Sequence, residues 1–364
     1  MARICKQAVE RGDTSEHMMR SWSWALCRLG RTEEAVPIAQ RNWELNRGAW
    51  SLVQLTEAYA DNGQMDLAVE MAKLLQRYPS EWGSAAGSAR HVISRLSSTT
   101  YQFTWNIASP VGSKASRRRI VIPQQDAYVQ KQVQTGVAGS KEWSFKTTVD
   151  GVRYLEIVQQ PGEAVKVTSE VTFCPHSWKP LLKKFDASAP LPEDAEALLG
   201  ISKEGDFLGV DPTSPQVKKL AAQLKGGNDI QTVENIMNFI SRQVPWTDVP
   251  GRLNSEDCLK LRKGSCTPRS LAAAALFRAN GIPARLIRGH SGVAPDRVIP
   301  GPHTIPQFYL RGIGWVDSDF DGPIWEPRIN YLRMYYRASR DYGLLGDVVD
   351  PTKDCSMRVL RVAL

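Results

Sequence analysis

Between Val165 and Phe173 the chain alternates: Val165, Val167, Val171 and Phe173 are apolar, while Lys166, Thr168, Glu170 and Thr172 between them are polar. A period of two marks a strand with one face in a core and the other in water. Together with the turn pair Asp150-Gly151 ahead of Val152–Val158, it predicts an antiparallel sheet over residues 100–178. The period changes on either side. Trp22, Leu26 and Leu29, and again Leu52, Leu55 and Tyr59, recur at helical spacing and predict helices in residues 1–95. Toward the C-terminus, a helix is predicted near 214–224, and Ile230, Val233, Ile236, Met237 and Ile240 predict a second. The apolar run Leu271–Phe277, closed by Gly281, predicts a third that starts at Cys266, with Pro268 in its first turn, where a missing N–H costs nothing. Gln307–Leu310, Arg311–Gly314 and Trp315–Asp319 read as strand, Gly-rich turn and strand.

The N-terminal helical region repeats itself. Gly30-Arg31-Thr32-Glu33-Glu34-Ala35-Val36 returns as Gly63-Gln64-Met65-Asp66-Leu67-Ala68-Val69, 33 residues later, and Pro79 closes the second copy. The period and the alanine five positions after each glycine resemble tetratricopeptide repeats, which stack helix pairs. Such a block serves either as a packing unit or as a peptide-binding groove, so a protein partner at the repeats is one of its two readings. A Pro-rich acidic linker, Pro190–Ala197, leads into the last region. The expected organisation is 1–95 helical repeats, 100–178 a small β-sandwich and 180–364 the region that carries the chemistry.

Composition narrows the functional classes. With 364 residues and 42% apolar content the chain is long enough for several cores. No apolar run approaches the ~20 residues of a membrane span, and the opening MARICKQAVERGDTSE has no apolar segment of the signal-peptide kind. The expectation is a soluble, cytoplasmic protein, or a periplasmic one if the chain is a fragment. The net charge of +8 is thinly spread, with Arg117-Arg118-Arg119 the one tight cluster, and nucleic acid is not expected as a partner. The six cysteines show neither paired nor zinc-ligand spacing, and the acidic residues near the last region are too sparse for calcium, so no metal and no cofactor is implied. Cys174 and His176 are read as structural.

Cys266 is the residue that changes the picture. A thiol where a loop enters a helix lies against the positive end of the helix dipole and its unpaired N–H groups, which favours the thiolate. His303 stands eight residues before Arg311 and Asp319 eight after it, so a hairpin folded about that turn brings imidazole and carboxylate together. Cysteine, histidine and aspartate then form a nucleophile, its base and the group that orients the base. Asp317, two residues earlier on the same strand face, is the rival orienter, and His290, after Arg288-Gly289, is the rival base. Gln243 and Trp246 are candidate oxyanion donors beside the N–H of Cys266, Trp246 being also readable as a core or cleft-wall aromatic.

These motifs resemble the transglutaminase core of the transglutaminase-like superfamily, relatives of the papain-like cysteine proteases. The resemblance covers residues ~180–325 and rests on Gly264-Ser265-Cys266, on Arg278-Ala279-Asn280-Gly281-Ile282-Pro283-Ala284-Arg285, and on His303 through Tyr309-Leu310 to Gly314-Trp315-Val316. It implies Cys266 as nucleophile, His303 as the family histidine and Asp319 as the family aspartate. The β-rich segment ahead, with Arg119–Pro123 and Tyr128, is similar to the sandwich that accompanies many bacterial members. Ile305 and Gln307 replace the usual Trp and Glu after the histidine, Pro306 between them requires an edge or a bulge, and Arg269 sets a cation one helical turn from the sulfur.

The fold class implied is α+β: a papain-like transglutaminase core preceded by a small β-sandwich and an α-helical repeat region. The activity implied is acyl transfer from an amide of a protein or peptide substrate through a thioester, with water the preferred acceptor (peptidase or amidase) over an amine (cross-linking). The alternative is a non-catalytic transglutaminase-fold scaffold for protein contacts.

Overall fold

The computed structural model describes residues 1–29, 31–62, 64–76, 98–107, 114–126, 128–147, 152–174, 176–199, 209–248, 253–291, 302–320, 322, 324–326, 331–337 and 355–361. Gly30, Gly63, Pro79 and the Asp150-Gly151 turn lie outside the described residues. The chain divides into two compact units, Met1–Ser98 with Cys174–Lys183, and Thr99–Phe173 with Lys184–Leu364.

The first unit holds five helices among its described residues: α1 (Ala2–Glu10), α2 (Glu16–Arg28), α3 (Thr32–Asn46), α4 (Ala49–Asp61) and α5 (Met65–Gln76). Each packs against the next in sequence where short connections allow, α2 on α3 and α4 on α5 most extensively. Ala35 and Ala68, the equivalent alanines of the two sequence copies, are both fully buried in a core with Leu26, Leu52 and Leu55, because only a small side chain lets neighbouring helices approach there. Ser15 caps α2 by accepting the N–H of Met18. Asn42 is buried without cost because its amide donates to Gln54 Oε1 at 3.0 Å and accepts from Asn46.

In the second unit the period-two stretch becomes β6 (Val165–Phe173), whose burial alternates as its sequence does. It lies between β1 (Thr99–Ile107) and β3 (Gln130–Ala138). A second sheet contains β2 (Ser116–Val121), β4 (Glu142–Thr147) and β5 (Arg153–Gln159) in the order β2-β5-β4. Phe103, Trp105, Ile120, Leu155, Val167 and Phe173 belong to one apolar core drawn from both sheets. The fourth strand beside β1 is β11 (Cys355–Arg361), antiparallel to it from Tyr101–Arg361 to Ile107–Cys355. Residues 355–361 thus complete the first sheet, whereas the expected boundary left all of 180–364 to the last region. Backbone pairing ignores sequence distance, and a free edge of β1 is satisfied by whichever strand reaches it.

The remaining elements build the site. A four-stranded antiparallel sheet has the order β10-β7-β8-β9, formed by β7 (Ala284–Ser291), β8 (Pro302–Leu310), β9 (Gly314–Asp317) and β10 (Tyr331–Arg337). Among the described residues the helices of this region are α6 (Glu193–Glu196), α7 (Pro215–Leu224), α8 (Asp229–Gln243), α9 (Ser255–Leu261) and α10 (Cys266–Ala279). Helix α9 is not among the helices expected from the sequence, although Asn254 caps it by accepting the N–H of Asp257. Residues Pro268 to Arg278 of α10 are all buried, so this helix has no solvent face and shows no amphipathic period. It packs on β8, where Phe277 and Phe308 meet with ring centroids 5.0 Å apart. Among the described residues no helix is long and apolar enough to cross a membrane.

Candidate active site

Cys266 is the first residue of α10, with Ser265 at the N-cap in extended geometry. The N–H groups of the first turn lie ahead of the helix's own hydrogen-bond ladder, and Pro268 removes one of them. Glycine is needed just upstream for a steric reason: a Cβ on Gly264 would sit 2.9 Å from Pro268 Cβ and 3.1 Å from Cys258 Sγ. The backbone there is also held from outside, since Thr247 N–H donates to Gly264 O at 3.1 Å.

The hairpin that carries His303 and Asp319 turns about Gly312, because Leu310 pairs with Gly314 and Gln307 with Asp317. The expectation from spacing is a turn about Arg311 with the strand running on to Asp319. The ladder instead ends at Asp317, and Asp319 leaves the strand direction to reach His303, whose Nε2 lies 2.8 Å from Asp319 Oδ2. The early part of β8 therefore has no strand on that side, and Pro306 falls where β9 pairing stops, as its missing donor requires. The sulfur of Cys266 comes to that open edge, where His303 and the backbone N–H of Thr304 both favour its charged form. With Nε2 on Asp319, the other ring nitrogen of His303 is the one available to the sulfur.

Electrostatics follow from these contacts. Burial alone would hold the Cys266 thiol protonated, but the bonds from His303 and from the Thr304 N–H outweigh it and bring its pKa below the ordinary thiol value. Burial likewise disfavours the His303 cation, yet Asp319 and Cys266 push its pKa up to about 9. Each group of the pair thus favours the charged form of the other, thiolate beside imidazolium. Cys258 and Cys27, where burial dominates, are pushed up to about 12.

The rivals are placed elsewhere. Asp317 is 2% exposed and its Oδ2 lies 2.5 Å from Arg333 Nη2. His290 pairs with Pro302 while Gly289 pairs with His303, so successive side chains put His290 on the opposite face of the sheet from His303. Arg269, expected to set a cation by the sulfur, is buried with its guanidinium 4.7 Å from the Phe320 ring centroid. Trp246 is 61% exposed, which removes its core reading, and its backbone bridges to Gly264. Gln243 is exposed at the end of α8. Phe308 is core, with Trp325 and Phe277 around it.

Several supporting residues escaped the sequence reading. Tyr331 is fully buried; its hydroxyl donates toward Ile287 O at 2.9 Å and His303 O at 3.1 Å, and its ring stands edge-on to the imidazole at 5.8 Å. Arg333, two residues on, joins Asp317 and, at 3.5 Å, Asp126 Oδ2 of the loop before β3. Ser241 Oγ donates to Phe320 O at 2.9 Å, anchoring the residue after Asp319 to α8. The available signal was the shared face of Tyr331 and Arg333 at strand spacing, but nothing local tied them to His303. Among the described residues no group of three His, Cys, Asp or Glu side chains converges as metal ligands.

Residues 218–320 match the family model of the transglutaminase-like superfamily. No curated protein matches the chain significantly. Among solved structures it is similar to a candidate cysteine protease from Cytophaga hutchinsonii, at 15% identity and TM-score 0.48, over 73% of this chain and 89% of that one. It is also similar to the periplasmic domain of TgpA from Pseudomonas aeruginosa bound to ethylmercury, at 16% identity and TM-score 0.35, over 62% of this chain and 91% of that one. The stretch that brings Cys266, His303 and Asp319 together, residues 218–320, is therefore a transglutaminase-like superfamily domain.

Proposed function

We propose that this protein is a cysteine hydrolase that cleaves an amide bond of a protein or peptide through a thioester, with Cys266 as nucleophile, His303 as general acid and base, and Asp319 as the group that orients His303. The observation that carries the reading is the 2.8 Å contact of His303 Nε2 with Asp319 Oδ2, with Cys266 at the N-terminus of a buried helix and its pKa lowered by His303. The Cys266 thiolate attacks the carbonyl carbon, and the developing oxyanion is met by the first-turn N–H groups of α10. Collapse breaks the C–N bond, His303 gives its proton to the departing amine, and the acyl group stays on sulfur. Neutral His303 then takes a proton from water, the hydroxide oxygen bonds to the acyl carbon, and the C–S bond breaks, so that the acid leaves and Cys266 is again a thiolate beside the His303 imidazolium. Water rather than an amine as acceptor follows from the resemblance to bacterial members without calcium ligands.

The test has two arms. Labelling with iodoacetamide across pH, with Cys266→Ala as control, should single out one thiol that reacts at neutral pH. Incubation of a glutaminyl peptide with a labelled primary amine should release ammonia or cleaved peptide with little amine incorporated. Stable incorporation that disappears in Cys266→Ala would make amine transfer the reaction, and absence of selective labelling would leave the scaffold reading.

A further inference from the structure

The guanidinium groups around the site are nearly all committed. Arg333 holds Asp317 and Asp126, Arg285 donates to Gln307 Oε1 at 2.6 Å and lies 4.0 Å from the Trp315 ring centroid, and Arg278 donates to Ala284 O at 2.9 Å. Arg269 is buried against Phe320. Arg288 differs. It is half-buried on β7, and among the described residues no carboxylate pairs with it and its one side-chain hydrogen bond runs from Nη1 to Thr304 Oγ1 at 3.5 Å, the long limit of such a bond. A guanidinium carries five donors in a flat fork that fits a carboxylate two-fold.

Its position gives those donors a use. Arg288 pairs with Thr304 across the β7–β8 ladder, so both side chains share the face that turns to the start of α10. Thr304 Oγ1 is 3.0 Å from Thr267 Oγ1, which is 4.0 Å from Cys266 Sγ. Laid end to end, these contacts span no more than about three residues of extended peptide. Building on the hydrolase reading above, we propose that Arg288 anchors a carboxylate of the substrate, carried by a side chain or a chain terminus within about three residues of the attacked carbonyl. The substrate class is then an acidic peptide, and the Arg288–Thr304–Thr267 contacts set the spacing between its charge and the reacting bond.

Binding and turnover together test this. Alanine-based peptides, each with one Glu or Gln at successive positions and with a free or amidated C-terminus, are titrated against full-length Cys266→Ala protein, and the same peptides are assayed with the unaltered protein. The expected result is at least a tenfold tighter Kd, and a lower KM, for one carboxylate-bearing peptide over its neutral partner. That ratio should collapse to near one in Arg288→Gln, and Arg288→Lys should recover part of it. Equal Kd values for every charged and neutral pair, or a preference that survives Arg288→Gln, overturns the assignment. Turnover without charge preference removes the anchor and leaves the hydrolase. A charge preference in Kd that depends on Arg288, with no turnover, keeps the anchor and removes the hydrolase.

Discussion

Arg333 Nη2 lies 2.5 Å from Asp317 Oδ2, with side chains only 2% and 3% exposed, two residues before the carboxylate that holds His303. The pair also reaches Asp126 at 3.5 Å, so the strand end that leads to Asp319 is tied to the loop before β3. Removing one member of a buried pair leaves an uncompensated charge, which costs about 3–5 kcal/mol. Arg333→Met should therefore lower stability by that order in chemical denaturation. The double variant Arg333→Met/Asp317→Asn should recover most of it, because the orphaned charge is gone; equal losses in both would show that packing, not charge, is at stake.

The thiolate–imidazolium pair predicts an unusual pH profile for alkylation. Because the Cys266 pKa is lowered, its reactivity should persist to lower pH than that of an ordinary thiol and disappear only as pH falls through that lowered value. Cys258 and Cys27, at about 12, should stay unreactive throughout that range. Mass-spectrometric mapping of the labelled cysteine against pH checks this directly.

In the proposed reaction His303 gives its proton to the leaving amine, so the alkaline limb of turnover should follow the raised histidine pKa and decline as pH rises through about 9. Asp319→Asn removes the carboxylate that favours the imidazolium. The limb should then move to lower pH, and kcat/KM should drop by about 10²–10⁴-fold. An unshifted limb in Asp319→Asn would mean that another group sets it.

Gly264 supplies a steric prediction. A methyl group there meets Pro268 and the Cys258 sulfur, and overpacking of this kind costs about 1–3 kcal/mol. Gly264→Ala should displace the start of α10 and slow Cys266 alkylation several-fold at pH 7. Shortening the obstacle with Cys258→Ala in the same protein should restore part of the rate.

Gly289 tests the sheet rather than the helix. Its Cβ would run into the carbonyl of Leu332 and approach the ring of Tyr331, the residue whose hydroxyl holds His303 O. Gly289→Ala should therefore loosen the β7–β10 pairing, seen as faster amide exchange at Leu332 and Arg333, with a matching loss of activity.

Local pattern was enough for the elements and for the helix start at Cys266. The alternation of Val165–Phe173, the spacing of Ile230–Ile240 and the loop-to-helix junction at Cys266 depend on neighbours within a few residues, and each became the expected strand, helix or helix start. The choice between Asp317 and Asp319 could not be read that way, since both fall on one face of any strand continued through them. It was made by Arg333, 16 residues farther on, which takes Asp317, and by the end of the ladder at Gln307, which frees Asp319 to turn toward His303. The same holds for the Thr304 N–H on the Cys266 sulfur, which exists because no strand covers the early part of β8, and for residues 355–361 closing the first sheet. Strand edges and buried charges are satisfied by whatever the fold brings within hydrogen-bond distance, and periodicity along the chain carries no record of that.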